Sequence, residues 1–242
     1  SKTDNPKQFV SIFESESLFQ KTLLRLDKSG FAKPCVICDE ENLFMAKKQA
    51  ELLSIDCDFI AEPEGRNTAS ALALFSHLAE DKNKVLFVLP ADHAINFDDE
   101  FLLNVRKAEK LASEGKIALF GIKTSEASTD YGYIKKGQEN EETFKIDSFH
   151  EKPNKDLAIT FHNSDDFYWN SGMLLITSAT YLEELEKFET QIYSSVFDSI
   201  LDRKNIDKEQ YKKSKFLSID VAVLEKTSVG YLIPLEIDWD DL

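Results

Sequence analysis

Apolar positions in the first half of the chain switch between two periods. Residues 15–28 carry Leu18, Leu23, Leu24 and Leu26 at helical spacing and stop before Gly30. The same spacing predicts helices over 43–53, 67–78 and 101–112, the last closed by Gly115. Between them lie short apolar runs: "PCVIC", "CDFIAE", "KVLFVL" and "IALFGI". A strand that is apolar on both sides of its pleat is buried on both faces. The alternation therefore predicts a parallel sheet covered by helices on two sides, with "KVLFVL" as a central parallel strand.

The second half changes character. "YGYIKKG", "TFKIDSFHEKP" and "FYWNSGMLLI" are strand-like, rich in aromatics, and separated by polar turns and short helices. No repeat, low-complexity tract or linker interrupts the 242 residues, which suits one domain with a nucleotide-type front half and a substrate-type back half. Open sheets of this kind bind ligands beyond the carboxyl ends of their strands, where "PADH" follows "KVLFVL".

Composition narrows the partners. A net charge of −15 weighs against a nucleic-acid backbone or an anionic membrane, while a nucleotide stays compatible through Mg²⁺ and a few local lysines. "PCVIC" has the spacing of a redox or zinc pair, but no second pair completes a zinc site. Residues three apart on a strand also face opposite ways, so Cys35 and Cys38 read as buried strand residues. With Cys57 they fit a reducing cytoplasm. No apolar run approaches membrane-spanning length, and "SKTDNPKQFV" does not read as a signal peptide.

Two places carry candidate chemistry. In "IAEPEGRNTASALALF" a strand ends at Glu62, Pro63 and Gly65 make a tight turn, and a helix opens at Asn67 or Thr68. Backbone N–H groups at such a helix start favour an anion or a ligand carbonyl, although a plain capped helix has the same pattern. Asp92 projects from a strand end made rigid by Pro90. Alone it reads first as an exposed turn residue.

"PKQF", "EPEGRNTA", "LPADH", "FGIK", "DYGYI", "FHEKP", "YWNSGM", "SIDVAVLEKT" and "WDDL" occur in that order from Pro6 to Leu242. Together they resemble the mannose-1-phosphate guanylyltransferase family, within the sugar-phosphate nucleotidylyltransferases. The resemblance implies a Rossmann-like α/β/α nucleotidyltransferase domain over 1–242, with a mostly parallel mixed central sheet. It also implies an N-terminal strand with a glycine-rich loop, and a C-terminal continuation, that this sequence does not contain. Some members carry a phosphomannose isomerase domain as well, which nothing in these residues represents.

The implied reaction joins GTP and α-D-mannose 1-phosphate to give GDP-mannose and pyrophosphate, assisted by Mg²⁺ or another divalent cation. Lys7, Asp92 and Lys152 are the implied catalytic residues, and Asp92 with Asp241 the metal ligands, Asp240 being the adjacent alternative. Glu62, Gly65, Arg66, Asn67 and Thr68 would bind the nucleotide, with Glu62 accepting from the guanine donors. Gly132, Glu151, Lys152 and Asn170 would bind the sugar phosphate: the carboxylate and amide pair with hydroxyls, and the glycine lets the sugar approach the backbone. On an ideal strand Glu151 and Lys152 face opposite ways, so the chain must bend there. His93 is left with a turn hydrogen bond, Trp169 and Tyr131 with sheet packing, and Asp220 with a first-turn structural place. A homo-oligomer is compatible with the pattern. A related transferase for another sugar 1-phosphate or nucleotide, and a non-catalytic regulatory subunit, are the alternatives.

Overall fold

The computed structural model describes residues 6–10, 16–203, 205–237 and 239–241, with Asp240 and Asp241 described by backbone alone. These residues form ten strands and eight α-helices. They are α1 (Leu18–Lys28), β1 (Cys35–Asp39), α2 (Glu40–Leu52), β2 (Asp58–Glu62), α3 (Thr68–Leu78), β3 (Val85–Val88) and β4 (His93–Ile95). Then come α4 (Asp99–Ser113), β5 (Ile117–Lys123), β6 (Tyr133–Asn140), β7 (Thr143–His150), α5 (Lys155–His162) and β8 (Phe167–Thr177). The last are α6 (Ser178–Phe188), α7 (Thr190–Ser199), α8 (Lys208–Tyr211), a π turn at Asp220–Leu224, β9 (Gly230–Leu235) and β10 (Trp239–Asp241).

The helix starts follow side-chain chemistry. Ser17 and Gln20 form a capping box at α1, and Asp39, Asp98 and Asn154 cap α2, α4 and α5.

Six strands form the main sheet in the order β3-β8-β5-β9-β7-β6. Its two faces are both covered. Ile117 and Leu119 of β5 point into a cluster with α3, α6 and α7, while Ala118, Phe120 and Ile122 point into one with α4 and α5. Ile117, Leu119 and Phe120 are fully buried, each contributing about 1.5–3 kcal/mol of transfer free energy. That two-sided burial is why "IALFGI" reads as an unbroken run.

The architecture is the expected mixed α/β one, but the balance of pairings leans the other way. Among the described residues, parallel pairing occurs at β1–β2 and β5–β9, whereas β3–β8, β5–β8, β6–β7, β6–β8, β7–β9 and β4–β10 are antiparallel. The eleven-residue β8 runs against the direction of its three strand partners, β3, β5 and β6, and separates β3 from β5. Among the described residues β3 is also not central. Its one strand partner among the described residues is β8.

The β1–β2 pair stands apart as its own sheet. Between β1 and β3 runs a slot of about 720 Å³, lined by Cys35, Val36 and Ile37 on one side and Val85 to Leu89 on the other. Two strand edges with no ladder partner among the described residues thus face the same apolar space.

Candidate active site

The site begins with a bulge. Between Leu119 and Gly121 of β5 the register with β8 shifts, and Gly172 takes φ +73°. This left-handed conformation favours glycine. A Cβ at Gly172 would lie 3.1 Å from Pro90 Cγ and 3.5 Å from His93 Cε1. The missing side chain therefore lets the "PADH" loop lie directly on "WNSGM", which neither motif reveals alone.

In that loop Asp92 Oδ2 pairs with Lys7 Nζ at 3.0 Å, bringing together residues 85 positions apart in the sequence. Arg25, reaching from α1, donates to the carbonyls of His93 and Ile95 at 3.1 and 2.7 Å and so fixes the strand that follows. β10 pairs with β4 so that Asp241 lies opposite His93, one residue from Asp92. The Asp240 and Asp241 side chains lie outside the described residues.

His93 acquires a definite role. Its Nδ1 accepts from Trp239 Nε1 at 3.2 Å, and the two rings meet edge to face at 5.4 Å. An indole N–H can only donate, so the imidazole proton sits on Nε2, 4.0 Å from Asp92 Oδ1. The histidine ties β4 to β10. Tyr131 packs on both Trp169 and Trp239, and Trp169 is 5% exposed, in keeping with packing.

A second group gathers at the start of β6, the end of β7 and the first half of β8. Asn170 N donates to the Gly132 carbonyl at 2.8 Å. A Cβ on Gly132 would meet Glu151 Oε2 at 2.8 Å and Phe149 Cζ at 3.0 Å, so the glycine makes room for that carboxylate. β7 ends at His150, and Lys152 takes φ +43° before Pro153. Left-handed backbone at a non-glycine residue is strained; it supplies the bend that the Glu151–Lys152 pair requires. Burial, then the like charge of Asp220, raises the Glu151 carboxyl to about 7, against the opposing pull of Lys152.

The third group is the "EPEGRNTA" turn. Glu62 is buried, and its Oε1 accepts from Tyr211 Oη at 2.6 Å. Burial raises its pKa, while the Tyr211 bond and the Arg66 backbone N–H pull it down. Arg66 donates to the Lys212 carbonyl at 2.5 Å and pairs with Glu64 at 3.4 Å. Asn67, at φ +69° and ψ 173°, caps α3 through Thr68 N, and Thr68 Oγ1 accepts from Ile219 N at 2.9 Å. Gly65 faces open space, with nothing within 4 Å of an added Cβ. Glu62, Arg66 and Thr68 thus spend bonding capacity on the segment 211–219. A carboxylate has about four lone-pair sites, so Glu62 retains acceptors beyond those two bonds.

Sequence reasoning left Asp220 with a structural first-turn place and did not single out Glu225. Asp220 Oδ1 accepts from Asn170 Nδ2 at 2.9 Å, and Glu225 Oε1 accepts from Glu151 N at 3.0 Å. Their spacing of five gives no helical signal. One turn of π-helix, closed by Glu225 N to the Asp220 carbonyl at 2.9 Å, sets them one above the other.

A family profile for nucleotidyl transferases matches residues 2–242. The chain belongs to the nucleotidyl transferase family. A Salmonella montevideo relative named mannose-1-phosphate guanylyltransferase is 38% identical over 258 residues, covering all of this chain and 54% of its own. The chain spans about half the length of the curated relatives it matches. Two solved structures share this nucleotidyl transferase fold. A Helicobacter pylori protein described as a mannose-6-phosphate isomerase superposes with TM-score 0.87 at 28% identity, covering 98% of this chain and 94% of that one. A Thermus thermophilus protein described as a mannose-1-phosphate geranyltransferase gives 0.85 at 25%, covering 100% and 70%.

No helix of the described residues is long and apolar enough to cross a membrane. Among them no group of three or more metal-ligating side chains assembles. Mg²⁺ at a phosphate-transfer site needs one or two carboxylates, because substrate phosphates and water complete the octahedron. Asp92, 26% exposed at the rim, is a hard oxygen donor of that kind.

Proposed function

We propose that the protein transfers the guanylyl group of GTP to mannose 1-phosphate, releasing pyrophosphate. One observation carries the reading: the Gly172 bulge brings the Lys7–Asp92 pair against the strand that presents Asn170 beside Gly132 and Glu151. A point charge and a carboxylate for phosphates therefore adjoin a set of hydroxyl partners. The mannose and guanylyl specificities rest on the names of the relatives.

In this reading a phosphate oxygen of the sugar phosphate attacks the α-phosphorus of GTP in line. The bond from that phosphorus to the β-bridging oxygen breaks, and pyrophosphate leaves with its electron pair. The protein positions both anions and neutralises charge. Lys7 reaches the triphosphate and Lys152 the sugar phosphate. Glu151 and Asn170 take sugar hydroxyls, Gly132 admits the ring, and Gly65, Arg66, Asn67 and Thr68 form the nucleotide side with Glu62 facing the base. Asp92 with Asp241 would hold a divalent cation, which when bound offsets the repulsion between the two substrates.

The test is pyrophosphate release from each nucleoside triphosphate paired with a panel of sugar 1-phosphates. Turnover confined to another pair, with none from GTP and mannose 1-phosphate, overturns the reading. The likeness to the Helicobacter pylori protein adds one control, an assay of the same preparation for mannose 6-phosphate isomerisation.

We also propose that a further β-strand, from residues ahead of Ser1, fills the slot between β1 and β3. What supports this is the slot itself: two strand edges and an apolar lining are matched to a strand buried on both faces.

A further inference from the structure

The segment 218–225 touches both halves of the site. Ile219 N donates to Thr68 Oγ1 at the start of α3, on the nucleotide side. One residue on, Asp220 Oδ1 accepts from Asn170 Nδ2, on the sugar side. At the end of the π turn Glu225 accepts from Glu151 N. Ala222, Val223 and Leu224 are buried in the core between these contacts, so the turn is anchored as a rigid element.

The bond to Asn170 settles more than a contact. An amide side chain offers its two ends to different partners, and its orientation decides which a ligand meets. Here Nδ2 points to Asp220, and Oδ1 accepts from Gly172 N at 3.2 Å. With both ends engaged, the amide plane is held, and the second Nδ2 hydrogen remains to be directed by it. An uncharged hydroxyl in place of Asp220 would not enforce this orientation, because it can donate to the amide oxygen as readily as accept from the nitrogen. A carboxylate only accepts.

We propose that Asp220 is a positioning residue: it orients Asn170 for the sugar phosphate and, through the π turn, sets the sugar side of the site in register with the start of α3. Its action passes through Asn170, so it is not catalytic. The assignment rests on the reading of Asn170 as a sugar-binding residue.

Two measurements on the full chain test it. In steady-state kinetics with GTP and mannose 1-phosphate, Asp220→Ala raises the KM for the sugar phosphate at least tenfold while the KM for GTP stays within about twofold. Asp220→Asn, which keeps an acceptor oxygen, recovers part of the loss. Equal rises in both KM values, or a fall in kcat alone with a lowered melting temperature, would mean a merely structural role and overturn the proposal. The second measurement needs no substrate: the Asn170 side-chain amide resonances shift and exchange faster in Asp220→Ala than in the parent. Unchanged resonances overturn the proposal whatever the enzyme turns over. If they shift but the parent does not use the sugar phosphate, the functional reading of Asn170 fails and the positioning contact stands.

Discussion

Tyr211 Oη donates to Glu62 Oε1 at 2.6 Å, joining side chains 149 positions apart. The phenol is fully buried, so the bond is a neutral donor to a carboxylate in a dry environment, the stronger class of hydrogen bond. Tyr211→Phe preserves the ring and removes the donor. It should lower unfolding stability by about 1–3 kcal/mol, because the carboxylate stays buried with one partner fewer. Urea unfolding at neutral pH measures this. An unchanged midpoint would show that the bond does not hold the turn.

The same carboxylate is the base-reading candidate. If the acceptors left to Glu62 meet guanine, Glu62→Gln should relax GTP over ATP selectivity by at least about tenfold, since a site built to accept from donors penalises a mismatch. Competition kinetics with the two triphosphates checks it, and unchanged selectivity removes Glu62 from the base pocket.

Gly132 tests the sugar side. An added Cβ would press on Glu151 Oε2 and Phe149 at 2.8 and 3.0 Å. Glu151 must then swing away, and misplacement of about 1 Å costs on the order of 100-fold. Gly132→Ala should therefore lower kcat/KM for the sugar phosphate by about 10- to 100-fold with the fold intact. Kinetics within twofold of the parent would mean that the pocket lies elsewhere.

Much of this was legible in the residues. Burial on both faces of β5 follows from its unbroken apolar run, and the caps at Ser17, Asp39 and Asp98 agree with their types. The direction of β8 was not legible, because an apolar strand buried on both faces gives no sign of which way its neighbours run. The π turn was invisible for a related reason: Asp220 and Glu225 share a face only under i→i+5 bonding, which no helical period of 3.6 suggests. His93 could not be placed until β10 put Trp239 beside it, a contact across 146 positions.

Lys7 and Asp92 separate stability from activity. Their ion pair is 50% and 26% exposed, and pairs of that kind contribute about 0–1 kcal/mol. Asp92→Asn should thus leave the melting temperature within a few degrees while lowering kcat by about 10²–10³-fold, the scale for losing a preorganised charge at a reacting phosphate. Calorimetry beside a pyrophosphate assay reads both. A large loss of stability, or retained turnover, would put Asp92 outside the reacting centre.

The slot between β1 and β3 makes its own prediction. A chain that supplies the extra strand should melt higher and bind less of a hydrophobic dye than residues 1–242 alone. Phe87 lines the slot, so Phe87→Ala should cost more in the longer chain, approaching the roughly 3–5 kcal/mol of a core phenylalanine. Equal costs in the two chains would leave the slot open in both.

Glu151 gives a pH signature whose sign is fixed by the direction of its shift. The folded state raises its carboxyl from 4.5 to about 7, through burial first and the Asp220 charge second. The folded protein therefore binds this proton more tightly than the unfolded chain. The group's contribution to stability is fully present below about pH 4.5 and is lost as pH rises through about 7. Asp220, itself shifted upward by burial, and Glu225 hold the proton on, while Lys152 opposes them. Glu151→Gln should remove this part of the decline between pH 5 and 8, which urea unfolding across that range would show. Sugar binding runs the other way, because only the ionised carboxylate accepts from two hydroxyls. The KM for the sugar phosphate should fall as pH rises through about 7, and Asp220→Asn should move that inflection to lower pH by removing the neighbouring charge. An inflection that stays in place in Asp220→Asn would mean that another group titrates there.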